Sequence, residues 1–545
     1  MIGPVNQALI GTTIGIVITV AALVTYCSFP KRAVKSHTAE AITPERHTYG
    51  QILQSTTLIG VSSVLSIAVG IVSTKAMAVL LGPAGFGLLA IYNSIAELAQ
   101  NIASMGINSS GVRQIASAVG SGDTNQIART TSALRRTSII LGVLGAILLI
   151  GFSGPVSTLT FGTDQHATAI VVLSAVVLFR CVAAGQGALI QGMRRISDLA
   201  KMRVLGAVFG TIISIPVVYF LREDGIAPTI AAVAATTVLT SWWYSRKVRI
   251  QTAPMTVSQL GTEATALLKL GFAFMASGLM MAGATYAVRV LVLRKVGFEA
   301  AGLYQSAWTL GGFYVGFILD AMGADFYPRL TAIARDNAAC NRLVNEQAQV
   351  SLLMAAAGVM ATLTFSPLVI TLFYSPQFYE AADVLRWLCL GMTLRIISWP
   401  LGFILIAKGA QNVFFWSELA WTAIYVGLSS VCINVFGLNG AGIAFFGSYV
   451  FHTLVNYLIV RRLSDFHWSM ANKRIGLLLV SLIGAVFGGF YVLPSYLATV
   501  LGTLAVIFTS IYSVRALLNL AGRDWLPRPL QQFISGFGLV WPSNR

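Results

Sequence analysis

A chain of 545 residues that is 56% hydrophobic and 10% charged falls far below the ~25% charged residues of soluble domains, so it reads as a polytopic membrane protein. The formal charge of +17 does not indicate nucleic-acid binding, because Lys and Arg fall in short clusters between apolar runs, the pattern that fixes membrane orientation. Unbroken apolar runs exclude an alternating outer-membrane barrel, and five dispersed cysteines exclude a close-paired metal or redox motif.

The first apolar segment, 5–26, is expected to be an accessory N-terminal helix, and a basic linker with Lys31, Arg32, Lys35 and Arg46 completes region 1–52. Core helices are then expected at 54–79, 88–108, 137–157, 168–190, 203–220 and 229–245, and again at 268–293, 301–326, 348–372, 382–407, 413–434 and 441–460. Two more, 476–493 and 496–514, precede a tail. Each run can cross ~30 Å of hydrocarbon, some of them with tilt or local thinning. The expected fold is all-α: a 12-helix core of two six-helix lobes, two C-terminal helices and an extra N-terminal helix, 14 or 15 helices in all. Its parts are the N-terminal region 1–52, an N-lobe 53–262, a C-lobe 263–463 and a C-terminal region 464–545.

Alternate loops on one side of this arrangement carry 27 Lys and Arg residues and those on the other carry three. That asymmetry places the linker and tail in the cytoplasm. The outer loops are all short, which leaves no external domain.

A constant offset of 215 residues relates Gly82 to Gly297, Gly87 to Gly302, Arg180 to Arg395, Gly187 to Gly402 and Gly225 to Gly440. Lys75 and Arg289 correspond to within one residue. An offset that respects helix boundaries across half the chain signifies tandem duplication. Each repeat holds six helices, so both copies insert with the same orientation, and the expected substrate site lies between them, as in an alternating-access transporter.

An ionisable group inside a membrane helix costs roughly 2.5 to 3.5 kcal/mol on insertion scales. Arg180 and Arg395 fall near the middle of their helices, where snorkelling to an interface is hard. They read either as a cationic cavity surface or as structural contacts between helices. Lys75 and Arg289 lie nearer the outer face, where snorkelling is available, and position alone leaves their role open. Arg386 and Lys269 read as interfacial anchors.

The second core helix places Asn93, Glu97, Gln100, Asn101, Ser104 and Asn108 on one polar stripe. Its counterpart holds Gln305, Trp308, Gly312, Gly316 and Asp320, with Asp325 beyond. Such a stripe faces protein or water. Asn93, Glu97, Gln305, Asp320 and Asp325 are read as cavity-lining or ion-coupling groups, and the glycines as packing contacts. The five histidines are read as scattered over linker, loops and helix ends, and the sequence holds no HExxH, Walker or GxSxG motif. No catalytic residue or metal site is expected, and the short outer loops argue against a membrane glycosyltransferase or polymerase.

The first hairpin, STKAMAVLLGPAGFGLLA, then IQGMRR, AVRVLVLRKVGFEAAGLYQSAW, DFYPRLTAI, PLGFILIAKGAQNVFFWSE and FGLNGAGIAF, resemble the polysaccharide-transport branch of the multidrug/oligosaccharidyl-lipid/polysaccharide (MOP) exporter superfamily. They are most similar to its O-antigen and enterobacterial-common-antigen flippases (Wzx type), over about Gly50 to Leu463. The resemblance implies a V-shaped pair of lobes around a cationic cavity and turnover of an undecaprenyl-diphosphate-linked oligosaccharide across the bacterial inner membrane, with H+ or Na+ coupling or substrate-driven rocking and no other cofactor. Lys75, Arg289 and Arg395 match cationic family positions, whereas Arg180 rests on the repeat and its depth. Implied partners are the polyprenyl-diphosphate-linked glycan, the lipid bilayer, and polysaccharide polymerase or chain-length machinery, without nucleic acid. Alternatives are a lipid-linked peptidoglycan-precursor flippase and a cation-coupled multidrug exporter. The second is disfavoured by six embedded basic residues against Glu97, Asp320 and Glu418.

Overall fold

The structure, a computed structural model, describes residues 44–248 and 256–521. The expected accessory helix at 5–26 and the tail beyond 521 lie outside the described residues. The described chain is all-α: α1 (Pro44–Ser104), α2 (Ile107–Ser121), α3 (Thr124–Gly151), α4 (Ser153–Phe161), α5 (Ala167–Gly192), α6 (Ile196–Leu221), α7 (Ile226–Ser245) and α8 (Val257–Lys295). It continues with α9 (Phe298–Ala332), α10 (Asn337–Thr364), α11 (Ser366–Phe373), α12 (Ala381–Ala407), α13 (Gln411–Phe436), α14 (Asn439–Ser464), α15 (Met470–Val492) and α16 (Ser495–Ala521). Ten apolar spans long enough to cross a membrane occur among the described residues.

The expected first two core helices are the two arms of α1. Gly82, at φ 65° and ψ −176°, breaks the helical path between them. Only glycine adopts that backbone without strain, and Pro83, with no N–H to leave unpaired, opens the second arm. A straight helix over the 39 residues Ser66–Ser104 would run about 58 Å at 1.5 Å per residue, nearly twice a bilayer core. The second arm stops at Ser104 because Met105 and Gly106 both take positive φ, so Asn108 belongs to α2 and drops out of the expected stripe.

The third helix of each repeat ends earlier than expected. The runs 137–157 and 348–372 break at Phe152 and Phe365, and the chain resumes as the short helices α4 and α11. The cause is a proline just beyond each break, Pro155 in FSGP and Pro367 in FSP, which removes a helical donor and clashes with the preceding turn. At their other ends, α3 is capped by Asp123, which accepts from the Asn125 and Gln126 amides, and α10 by Asp336, which accepts from Ala339.

Duplication is therefore visible in the elements themselves. α3 and α10 each have 28 residues, α5 and α12 have 26 and 27, and α6 and α13 have 26 each. The packing pairs repeat too: α3 with α5, α5 with α7 and α6 with α7 in one copy, α10 with α12, α12 with α14 and α13 with α14 in the other.

Packing divides the chain into two compact units, one extending to Gly302 and including Phe373–Ser375, the other Leu303–Leu372 with Pro376 onward. The expected division at 262/263 follows the sequence repeat; packing assigns α8 to the first unit, where it lies against α1, α2 and α3. In the first unit, Ile107, Ile115, Ala133, Leu134, Ala188, Leu189 and Leu267 form one buried cluster. In the second, α15 and α16 dress the third helix of the repeat, with Ile475 and Leu479 packing on Leu352, Leu353 and Ala356.

The opposite faces are apolar and open. Ile140, Leu144, Ile147 and Leu148 of α3 are 50–58% exposed, and Leu477 of α15 is 72% exposed. Apolar area on this scale marks a lipid-facing surface. Inside, Gly142 and Gly145 of α3 sit against Leu178, Cys181 and Ala103, the small-residue contact that lets membrane helices approach closely.

Candidate functional site

The second arm of α1 organises the polar centre of the first unit. Asn93 and Glu97 are one helical turn apart, so both face α5. The Arg180 guanidinium, midway along α5, donates from Nη2 to the Asn93 side-chain oxygen at 3.0 Å. Glu97 lies within its electrostatic reach without forming an ion pair. Ser94, next in sequence, receives a hydrogen bond from Arg289 Nη1 of α8. Two arginines from two helices thus converge on adjacent residues of one turn, Arg289 at 8% exposure and Arg180 half-buried.

Among the described residues, no carboxylate pairs with Arg180. Its fork has five donors and one is used on Asn93, so most of its hydrogen-bonding capacity remains available. Lys75, in the first arm of α1, is half-buried and Glu97 is exposed.

Close approach of backbones holds these helices in place. Gly87 and Gly302 stack so tightly that a Cβ on either would overlap the other segment, Phe298 on one side and Pro83 on the other. Beyond the far end of that arm, Gly106 stands equally close to Gly271 of α8. Beside the first contact lies an aromatic cluster. The His166 ring stacks on Phe161 at 3.9 Å, its Nδ1 meets the Tyr92 hydroxyl at 2.8 Å, and Phe298 lies 6.0 Å away. Arg294 donates to the Thr158 carbonyl at 2.5 Å, and the Thr160 and Tyr286 hydroxyls meet at 2.6 Å. Burial lowers the His166 pKa from its ordinary value.

In the second unit, Arg395 is half-buried midway along α12. Among the described residues its guanidinium meets the Met392 thioether, at 4.0 Å, and no carboxylate. Gln305 donates to Thr309 at 3.0 Å, while its amide oxygen is buried with no hydrogen-bond partner among the described residues. The side chains of Asp320 and Asp325 lie outside those described. Arg386 behaves as an anchor, pairing with Asp383 at 2.7 Å and covering the Phe490 ring at 3.9 Å.

One group departs from its expected place. His452 is not at a helix end but midway along α14, where its Nε2 lies 3.2 Å from Glu418 of α13. The signal available in the sequence was a second ionisable residue, Glu418, inside a neighbouring apolar run. Helix contact order, which pairs the two, was not legible.

Fold and site define a polytopic α-helical membrane protein with an arginine midway along an equivalent helix of each repeat, Arg180 in α5 and Arg395 in α12. A family profile described as "Polysaccharide biosynthesis protein" matches residues 76–383, and the chain belongs to that family. It is 20% identical over 391 residues to the lipid III flippase of Escherichia coli (strain K12), covering 71% of this chain and 93% of that protein. Among solved structures it is similar to an inward-facing multidrug resistance MATE family transporter of the MOP superfamily, with TM-score 0.63, 15% identity, and 73% and 94% of the two chains covered. It is also similar to the lipid II flippase MurJ in an inward closed conformation, with TM-score 0.63, 12% identity, and 85% and 100% covered. These likenesses establish the MOP fold expected from the sequence motifs.

Proposed function

We propose that this protein is a flippase that moves an undecaprenyl-diphosphate-linked oligosaccharide, an O-antigen-like repeat unit, across the bacterial inner membrane by alternating access, with its linker and tail in the cytoplasm. The observation that carries the reading is the pair Arg180 and Arg395. Each lies midway along the corresponding helix of its repeat, and among the described residues neither has a carboxylate partner. An intramembrane cation without a counter-ion is costly, and a diphosphate supplies the missing charge. Arginine's planar fork suits phosphate oxygens as bidentate acceptors. Membership in a polysaccharide-biosynthesis family and the likeness to a lipid III flippase support a lipid-linked glycan as cargo.

In this reading Arg180, Arg289, Lys75 and Arg395 offset the cost of taking the diphosphate out of water. Asn93, Glu97 and Gln305 line the hydrated path of the sugars, with Asp320 and Asp325, and the prenyl tail stays in lipid. Coupling to H+ or Na+ and hand-over to a polymerase and chain-length machinery complete the proposal.

Reconstitution in liposomes with a fluorescent polyprenyl-diphosphate oligosaccharide tests it. Cargo becomes accessible to a membrane-impermeant enzyme in the presence of the wild-type protein, and R180A and R395A slow this by tenfold or more. Equal rates in wild type, both variants and empty liposomes overturn the reading, as does preference for a cationic drug or for a peptidoglycan precursor.

A further inference from the structure

Near the middle of α14, His452 is enclosed by three helices of the second unit. Its side chain is 12% exposed and that of Glu418 is 26% exposed, while Ser398 and Asn456 are 0% and 1% exposed. Trp421 and Tyr449 cover the ring at 5.9 and 5.6 Å. The titratable and charged groups facing the site are Arg395 from α12, Glu418 from α13 and Tyr449 from α14 itself; Tyr449 lies within electrostatic reach of both Arg395 and Glu418.

The Ser398 hydroxyl lies 3.2 Å from the Arg395 carbonyl and 3.3 Å from His452 Nδ1. With its proton on that carbonyl, Ser398 accepts from the imidazole tautomer that carries its hydrogen on Nδ1. A neutral imidazole protonated there turns a bare lone pair at Nε2 toward the Glu418 oxygen 3.2 Å away. Against a carboxylate, that contact is repulsive. One added proton resolves it, either on Nε2 and donated to Glu418, or on the Glu418 oxygen and donated to Nε2.

Asn456 serves both conditions. Its Nδ2 stands 3.0 Å from Nε2 and donates to it when the lone pair is bare. Its Oδ1 is buried with no partner among the described residues, and turning the amide presents that oxygen to a protonated Nε2. Trp421 Nε1 is likewise buried with no partner among the described residues.

We propose that His452 and Glu418 form a proton-binding site in the second repeat, holding one proton between Nε2 and Oε1 and releasing it to water when α13 and α14 part. Release breaks only the N–H or O–H bond and leaves a neutral imidazole and a carboxylate. Contact between α13 and α14 is thus stable with the proton bound and repulsive without it. The site is specific to this repeat, because at the 215-residue offset Arg203 stands for Glu418 and Thr237 for His452, and Thr237 only donates to the Val233 carbonyl of its own helix. The proposal goes beyond the flippase reading and holds for any cargo.

The test uses the full chain in lipid nanodiscs, labelled with 15N-histidine, without cargo. H452Q identifies the His452 resonances among the five histidines; should it fail to fold, the variant H37Q/H47Q/H166Q/H467Q leaves His452 as the sole histidine. The expected result is that, at one pH, the Nε2 resonance of the wild type reports a proton shared with Glu418 that E418Q lacks, and that sodium chloride in place of potassium chloride has no effect. An identical Nε2 resonance in wild type and E418Q overturns the proposal. So does an Nε2 state that follows sodium at constant pH, which would make the site a metal-cation site. Loss of glycan transport in the reconstituted assay leaves these outcomes unchanged, so failure of the two readings is distinguishable.

Discussion

Replacing Arg180 by Gln separates a residue held for cargo from one held for structure, because the two roles predict different changes in stability. A charged arginine at the centre of a membrane helix costs about 2.5 to 3.5 kcal/mol on insertion scales. Its charge-assisted bond to Asn93 returns about 1.5 to 3 kcal/mol. Neutralising it therefore leaves the empty protein between about 0.5 kcal/mol less stable and about 2 kcal/mol more stable. The cargo-bound state instead loses at least two charge-assisted bonds to phosphate, about 3 kcal/mol together, or roughly 100-fold in translocation at tenfold per 1.4 kcal/mol. R180K keeps the charge but loses the fork, and is expected to fall in between. Thermal unfolding in nanodiscs and glycan translocation at matched protein level measure the two effects on the same preparation. A melting temperature that drops by several degrees in R180Q, with transport falling in proportion to folded protein, would refute the reasoning and make Arg180 a structural contact to Asn93.

Arg395 meets a weak acceptor, the Met392 thioether, where Arg180 meets an amide oxygen, so R395A is expected to reduce export of lipid-linked glycan tenfold or more with protein level intact, scored by surface glycan against immunoblot. Arg289 differs, being buried and bonded to Ser94; R289A is expected to lower both export and melting temperature, and S94A to lower the melting temperature alone, by the ~1.5–3 kcal/mol of a charge-assisted bond. G302V forces a side chain into the Pro83 carbonyl and is expected to cost at least the ~1–3 kcal/mol of core overpacking, read as a lower melting temperature that G302A reproduces in part. For His166, burial lowers the pKa, so the packed form binds the proton more weakly than the opened form, whose imidazole titrates near ~6.5. The stability this contributes is fully present above pH ~6.5 and is lost as pH falls through the lowered value; H166F, which keeps a ring on Phe161, is expected to flatten melting temperature against pH below 6.5.

Helix identity was legible from the sequence because lipid imposes one rule, that every backbone polar group be satisfied within its own segment. Long apolar runs therefore mark α5 and α12 closely, 168–190 against Ala167–Gly192 and 382–407 against Ala381–Ala407. The runs misled where a local signal cut across them. FSGP and FSP end α3 and α10 early, and paired positive φ at Met105 and Gly106 removes Asn108 from the stripe. The convergence of Arg180 and Arg289 on Asn93 and Ser94 was only partly legible: the polar stripe and the buried cations were each visible, but which rotamer meets which residue depends on helix rotation and crossing. His452 was missed for a related reason. Its partner Glu418 lies 34 residues away on another helix, and no spacing within a single helix pairs them.

Comparison of the repeats position by position shows what duplication kept and what it changed. Arg180 and Arg395 preserve the cation midway along the corresponding helix, yet Asn93 and Glu97 correspond to Trp308 and Gly312. Around Arg180 the first copy therefore supplies an amide and a carboxylate, whereas the same register in the second supplies an indole and a bare backbone, consistent with the thioether contact Arg395 makes instead. The change runs the other way one helix further on, where Thr237 and Arg203 give place to His452 and Glu418. The first repeat sets polar neighbours around its arginine, and the second adds the His452–Glu418 pair. A symmetric pair of identical halves would bind an anion equally well at every point of a transport cycle. A copy whose charge changes on protonation, one helical turn from Arg395 through Ser398, can hold that anion more tightly in one state than in the next, and only such a differential affinity can shift a conformational equilibrium.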